Sequence, residues 1–236
     1  MAETVAISRR ERNKLRTRAR ILDAASKLFT KHGVEGTTID ELAEAADISR
    51  ATFFNYFDSK PAVVKELLAE IDRGFFAYLQ SLLERDVPVR ELLEIFFTNS
   101  AKGIQASAPF FRVMIAEAEK SFPDPLERDR YRNMTKEFRK IVEKGIARRE
   151  ARTDVPSDLL AEIMVGAYVS VLRIWRVDPA YNLPGRLRNT ARVLADMIAR
   201  PASVAAGPGG IKGPAVVIEK ERSTQVRTQK PPKTRT

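Results

Sequence analysis

The chain has 236 residues, of which 44% are hydrophobic and 31% charged, an ordinary globular balance with enough apolar surface for a core. It has no cysteine and a single histidine, so disulfides, thiolate metal sites and a cysteine nucleophile are excluded, and His32 would have only carboxylates beside it as metal ligands. The net charge of +10 sits at the two ends: residues 1–20 and 201–236 each hold seven Arg or Lys against two Glu, leaving the middle near neutral, as suits a polyanionic partner.

Residues 1–8 are expected to be a flexible N-terminus. A first helix is predicted over about Arg10–Lys31, with Ile21, Leu22, Ala25, Leu28 and Phe29 on one face and Arg or Lys on the other. Lys31-His32-Gly33 supplies last-turn cations and a glycine stop, which makes His32 a helix-end residue rather than a base. Thr38-Ile39-Asp40-Glu41 is a capping box opening a second helix, whose Ile39, Leu42, Ala43 and Ala46 recur at i, i+3, i+4 and i+7. After the short turn Asp47-Ile48, Ser49 caps a third helix from Arg50 to about Phe57. Asp58 and Ser59 then cap a fourth, which tolerates Pro61 because it lies in the first turn and which reaches about Glu84. Further helices are predicted near 88–106, 109–120, 125–150, 157–177 and 184–199, separated by proline-containing breakers. The Gly- and Pro-punctuated segment 201–236 is read as a disordered basic tail.

No run approaches the ~18 apolar residues of a membrane span. The first twenty residues have no apolar core behind their charges, so a secretory signal is not expected and the protein is placed in the cytoplasm. No membrane partner, metal or cofactor is expected.

Residues 38–57 read as two short helices about a tight turn, the geometry of a helix-turn-helix whose second helix enters the DNA major groove. Phe53 and Phe57, at i and i+4, should face inward with Ile48. Arg50 and Phe54 share one outer face, Ala51 and Asn55 the next. That surface offers a guanine-reading side chain, an adenine-pairing amide and apolar groups for a thymine methyl. Thr38 and Ser49 stand at helix N-termini that suit phosphate oxygens, and Tyr56 and Lys60 are placed to reach backbone phosphate.

The run Arg20-Ile21-Leu22-Asp23-Ala24-Ala25-Ser26-Lys27-Leu28-Phe29, followed by Gly33, Gly36-Thr37-Thr38-Ile39, Ala43, Ala46, Ile48-Ser49, Thr52-Phe53-Phe54-Asn55-Tyr56-Phe57 and Ser59-Lys60, resembles the DNA-binding domain of TetR/AcrR-type regulators. The resemblance covers about 45 residues in order; beyond it only length, helix content and helix order match. It implies an all-α protein with a helix-turn-helix DNA-binding domain over 9–60 and a helical effector-binding and dimerisation domain over 61–200. It also implies a homodimer that represses from a palindromic double-stranded operator and is released by a small-molecule effector. Carried over by position, the operator contacts are Thr38, Ser49, Arg50, Ala51, Thr52, Phe54, Asn55, Tyr56 and Lys60. Asn55 and Tyr56 depart from the family's usual aromatic followed by histidine.

The resemblance further implies that the last two helices pair with their symmetry mates, here through Leu160, Met164, Ala167 and Val171 on one and Leu187, Ala191 and Leu194 on the other. Aromatics crowd the larger domain, and the pairs Phe75-Phe76, Phe96-Phe97 and Phe110-Phe111 cannot each face one core, because helix neighbours diverge by about 100°. A hydrophobic effector pocket is therefore expected from Phe75, Tyr78, Phe96, Phe97 and Phe111, completed by Met114, Phe138, Tyr168 and Trp175. The alternative reading is a non-specific architectural protein that binds through its basic ends, against which the capped reading helix argues. An enzyme is not expected, since no phosphate loop, nucleophile elbow or His–carboxylate pairing is present.

Overall fold

The computed structural model of the chain describes residues 8–120 and 125–201. The flexible N-terminus expected for 1–8, Ser8 apart, and the disordered tail expected for 201–236, Pro201 apart, lie outside them. The described residues form nine helices: α1 (Arg9–His32), α2 (Ile39–Ala45), α3 (Arg50–Phe54), α4 (Lys60–Leu83), α5 (Val89–Ala106), α6 (Ala108–Lys120), α7 (Pro125–Ala147), α8 (Ser157–Val177) and α9 (Leu183–Ile198). One isolated antiparallel bridge, Ala151 to Ala199, is the only strand-like pairing among them. No helix among the described residues is long and apolar enough to cross a membrane.

Helix ends follow the local chemistry. Ser8 with Glu11, and Thr38 with Glu41, form reciprocal capping boxes that satisfy two free amides each. Ser59 caps α4 by accepting from the Ala62 amide, and Pro61 sits in the first turn, where it has no hydrogen bond to break. Gly33 ends α1 at φ 73°, a left-handed value that a side chain would strain. The third helix ends earlier than its predicted Phe57. The amides of Asn55 and Tyr56 bond three residues back, to the carbonyls of Thr52 and Phe53, so the last turn tightens. Similarly, α7 stops at Ala147 instead of 150, because Arg149 turns left-handed at φ 61° and the amides of Glu150 and Ala151 fold back onto the Gly145 carbonyl. Gly145 permits this close return, since a Cβ there would meet the Ala151 Cβ at 2.8 Å.

Two apolar clusters form. The first gathers Ile21, Leu22 and Phe29 of α1, Leu42 of α2, Phe53 and Phe57, and Val63, Val64, Leu67 and Leu68 of α4; Met114 of α6 joins it. The second gathers Leu79 and Leu82 of α4 with α5, α7, α8 and α9 around Phe96, Phe97, Phe138 and Tyr168. Helix α4 thus spans both clusters. Helix α6 lines the first through Met114, Phe110 and Val113 while Phe111 and Ile115 pack on the second.

Candidate DNA-reading surface and ligand cavity

Helix α3 is anchored from beneath. Phe53 is fully buried and Phe57 nearly so, with ring centroids 6.2 Å apart. Arg18 lies over the Phe57 ring at 4.7 Å and pairs with Glu66 of α4 at 2.7 Å. Burial pulls the Glu66 carboxyl upward, but hydrogen bonds from Arg73 and Arg18 outweigh it and hold the group below its ordinary value. The turn between α2 and α3 bends through Asp47 at φ 52°, and Arg20 reaches from α1 to donate to the carbonyls of Ala46 (2.5 Å) and Asp47 (2.6 Å). Sequence reasoning counted Arg18 and Arg20 among the basic residues for a polyanion; the structure spends both on holding the helix-turn-helix together.

Above this anchor, Thr38, Ser49, Arg50, Ala51, Phe54 and Asn55 are exposed, and Thr52 and Tyr56 half-buried, so none of these eight expected DNA contacts is enclosed in the core. Ser49 accepts from the Thr52 amide at 3.1 Å and its hydroxyl meets that of Thr52 at 2.8 Å. Thr38 is engaged with Glu41, whose carboxyl the Thr38 amide and hydroxyl hold below the usual range. Arg50 is paired with Asp40 at 2.6 Å and leans on the exposed Phe54 ring at 5.6 Å. Asp40 was not anticipated as a partner, because a spacing of ten residues carries no helical signal.

Lys60, the ninth expected contact, is placed differently. Its ammonium donates to the carbonyls of Thr37 (2.6 Å) and Val34 (2.9 Å), closing the loop that precedes α2. An ammonium has three donors, and with the Glu35 carbonyl at 3.5 Å three carbonyls face them. Lys60 therefore positions the Thr38 cap, and its charge is directed into the protein.

Between the two clusters lies a cavity of about 1400 Å³. Of the nine residues expected in an effector pocket, Phe75, Tyr78, Phe96, Phe111, Met114 and Tyr168 line it. Phe97, Phe138 and Trp175 do not: the two phenylalanines are fully enclosed in the second cluster, and Trp175 is covered by the Arg112 guanidinium at 4.3 Å. The inner wall is aromatic and aliphatic, with Tyr168 fixed by Ser100 at 2.6 Å and Tyr78 accepting from Asn99 at 2.6 Å. Burial pushes the Tyr168 hydroxyl up to about 12, so it stays a neutral phenol. The rim is charged and exposed, with Arg128, Arg132, Arg173, Glu70 and Glu162. Arg130 and Asp72 pair across the wall at 2.7 Å, and Glu119 bridges Arg173 (3.1 Å) and Arg176 (2.6 Å). These polar residues were invisible to a search for aromatics; three arginines within residues 128–132 were the available signal.

Six of the seven residues expected at a dimer interface, Leu160, Met164, Val171, Leu187, Ala191 and Leu194, are buried in the chain's own core, and Ala167 is half-buried. The exposed apolar side chains of the last two helices are others: Leu159, Ile163, Ile174 and Val177 on α8, which fall on one face, and Val193 on α9.

Residues 21–67 match the family model described as bacterial regulatory proteins, tetR family. The transcriptional repressor KstR2 of Rhodococcus jostii (strain RHA1) is 25% identical over 189 residues, 78% of this chain and 92% of that protein. The structure of Thermus thermophilus FadR, a TetR-family repressor in complex with lauroyl-CoA, aligns at TM-score 0.63 and 27% identity, covering 80% of this chain and 100% of that one. The complex of SmeT with triclosan aligns at TM-score 0.67 and 19% identity over 84% of this chain and 98% of its own, a likeness of fold.

Proposed function

We propose that the chain is a ligand-responsive, DNA-binding transcriptional repressor of the TetR family of bacterial regulatory proteins, that it reads a palindromic operator as a homodimer, and that it leaves the operator when an amphiphile with a long apolar chain fills the cavity. One observation carries the DNA reading. A helix clamped from below by Phe53, Phe57, Arg18 and Arg20 presents Arg50, Ala51, Phe54 and Asn55 outward, where base edges are read. Catalysis has no part in this reading.

The effector class follows from the cavity. Its volume exceeds the usual range for drug-sized ligands, its depth is apolar, and its rim carries Arg128 and Arg132 for an anionic head, Arg173 being already held by Glu119. An acyl-CoA, such as the lauroyl-CoA held by the Thermus relative, has that division of chemistry. Release is coupled through shared residues: Leu68 and Met114 line the cavity and also belong to the cluster beneath the reading helix. A ligand that spreads the cavity wall moves α4 and α6, and with them the separation of two reading heads that must match one DNA turn, ~34–36 Å. The partner copy is seated on the exposed stripe of Leu159, Ile163, Ile174 and Val177.

The test is an operator selected from random duplexes and titrated with lauroyl-CoA. Release at micromolar ligand, with free CoA inert, is the expected result. Unaltered operator binding at saturating acyl-CoA, together with no thermal stabilisation of the protein, would exclude this effector class.

A further inference from the structure

Tyr168 of α8 carries a hydroxyl into an aromatic setting. Its ring is packed by Phe75, Phe96, Phe97 and Phe138, with centroids 5.6 to 6.3 Å away, and the residue is only 5% exposed. Taking a hydroxyl out of water into such surroundings is unfavourable unless a hydrogen bond answers it. Ser100 of α5 meets it at 2.6 Å.

The pair has hydrogen-bonding capacity beyond that contact. Two hydroxyls carry two protons, and the contact between their oxygens uses one. The second can be donated into the cavity, which Ser100 and Tyr168 both line. Burial pushes the phenol up to about 12, so it offers its proton to a neutral acceptor without losing it. The other polar pair of the wall differs. Tyr78 and Asn99 also meet at 2.6 Å, but Asn99 is exposed and Tyr78 half-buried, so water can complete their bonds.

The surroundings narrow the acceptor. The Tyr168 ring belongs to the aromatic depth, while the Asp72–Arg130 pair acts electrostatically on its hydroxyl. The hydroxyl thus stands where the apolar and charged parts of the wall meet. A carboxylate placed there would bring a second negative charge beside Asp72 in a partly dehydrated setting. A carbonyl accepts a hydrogen bond and brings no charge.

We infer that the Ser100–Tyr168 pair is a seat for the carbonyl oxygen of an acyl thioester, the atom at which such an amphiphile's head joins its chain. The inference rests on the amphiphile reading above and narrows it, since the pair selects an acyl derivative over an alkyl one. The anionic head stays at Arg128 and Arg132 on the rim, the chain lies among the rings, and one of the two hydroxyls donates to the carbonyl between them.

The experiment titrates the full chain, by calorimetry, with lauroyl-CoA and with its thioether analogue S-dodecyl-CoA. The two share head and chain length and differ in the carbonyl oxygen alone. Both are then titrated onto Ser100→Ala/Tyr168→Phe. On the unaltered chain the thioether is expected to bind about tenfold more weakly, as one hydrogen bond from a buried donor is lost. On the double variant the two ligands should bind within about twofold of each other. Equal affinities on the unaltered chain would overturn the inference and leave Ser100–Tyr168 a tie between α5 and α8. That comparison needs no variant, so misfolding of the variant cannot conceal its result. A tenfold preference that survives in the double variant would overturn the inference too, because another group would then hold the carbonyl. Binding of neither ligand would defeat the acyl-CoA reading itself and the inference with it, whereas failure of the inference alone leaves lauroyl-CoA bound.

Discussion

Lys60 and Tyr168 show how far a side chain's role depends on what surrounds it. A lysine at the start of a helix near DNA invites a phosphate contact, yet its ammonium is held 2.6 Å from the Thr37 carbonyl and 2.9 Å from that of Val34. Replacing it with methionine should therefore cost about 1–3 kcal/mol of stability by orphaning those carbonyls, with little change in the salt slope of operator binding. A slope reduced by about 0.9 with stability intact would instead make Lys60 a phosphate contact. Tyr168 is buried beside Ser100, and its pKa is raised from 10.0 to about 12. Between those values the unfolded chain loses a proton that the folded chain keeps, so stability falls as pH rises through that window, by about 2–3 kcal/mol in all. Below pH 10 the phenol contributes no pH dependence. Tyr168→Phe should remove this component: urea unfolding at pH 9 and pH 11.5 would differ less for the variant than for the unaltered chain. Equal differences would mean that the hydroxyl is not desolvated.

Among the elements, the proposed base reading falls on α3, whose five helical residues cannot hold themselves together. Phe53, fully buried against Phe57 and the α1 face, does that. Phe53→Ala should cost about 3–5 kcal/mol and lose operator binding with it. A loss below about 1 kcal/mol would show that the helix is held by its caps instead. Helix order and most boundaries were legible because capping boxes, glycines and prolines are local signals. The helix-turn-helix was legible for the same reason, with Thr38, Ser49 and the Phe53/Phe57 pair marking it. Which face of α8 meets which neighbour was not. That helix carries Leu160, Met164 and Val171 on one side and Leu159, Ile163 and Ile174 on another, and a helix apolar nearly all round has no periodic signal to choose between core and interface. The cavity was half legible: adjacent aromatics required that some leave the core, but only packing decides that Phe96 lines the cavity while Phe97 does not. Long-range ties such as Arg50–Asp40, Arg20 to the turn and Glu119 to Arg173 and Arg176 have no sequence period at all.

In the whole molecule three surfaces lie on one chain: the proposed reading head, the cavity, and the exposed apolar stripe of α8 proposed to seat a second copy. The stripe is the most directly exposed to test. Ile163 and Ile174 are each 45% exposed in the single chain, so Ile163→Glu/Ile174→Glu should leave the helical fold intact. The double variant should sediment as a monomer and bind the operator at least a hundredfold more weakly, since two tethered heads bind far more tightly than one. A variant that still sediments as a dimer would move the interface elsewhere.

Base reading by α3 is decided by selecting duplexes from a random library with the unaltered chain and with Asn55→Ala, and comparing the two consensus sequences. A palindrome whose half-sites lose preference at one symmetric position in the variant, with half-site spacing unchanged, is the predicted result. Two identical consensus sequences would remove Asn55 from base reading, and the absence of any consensus from the unaltered chain would contradict the account as a whole.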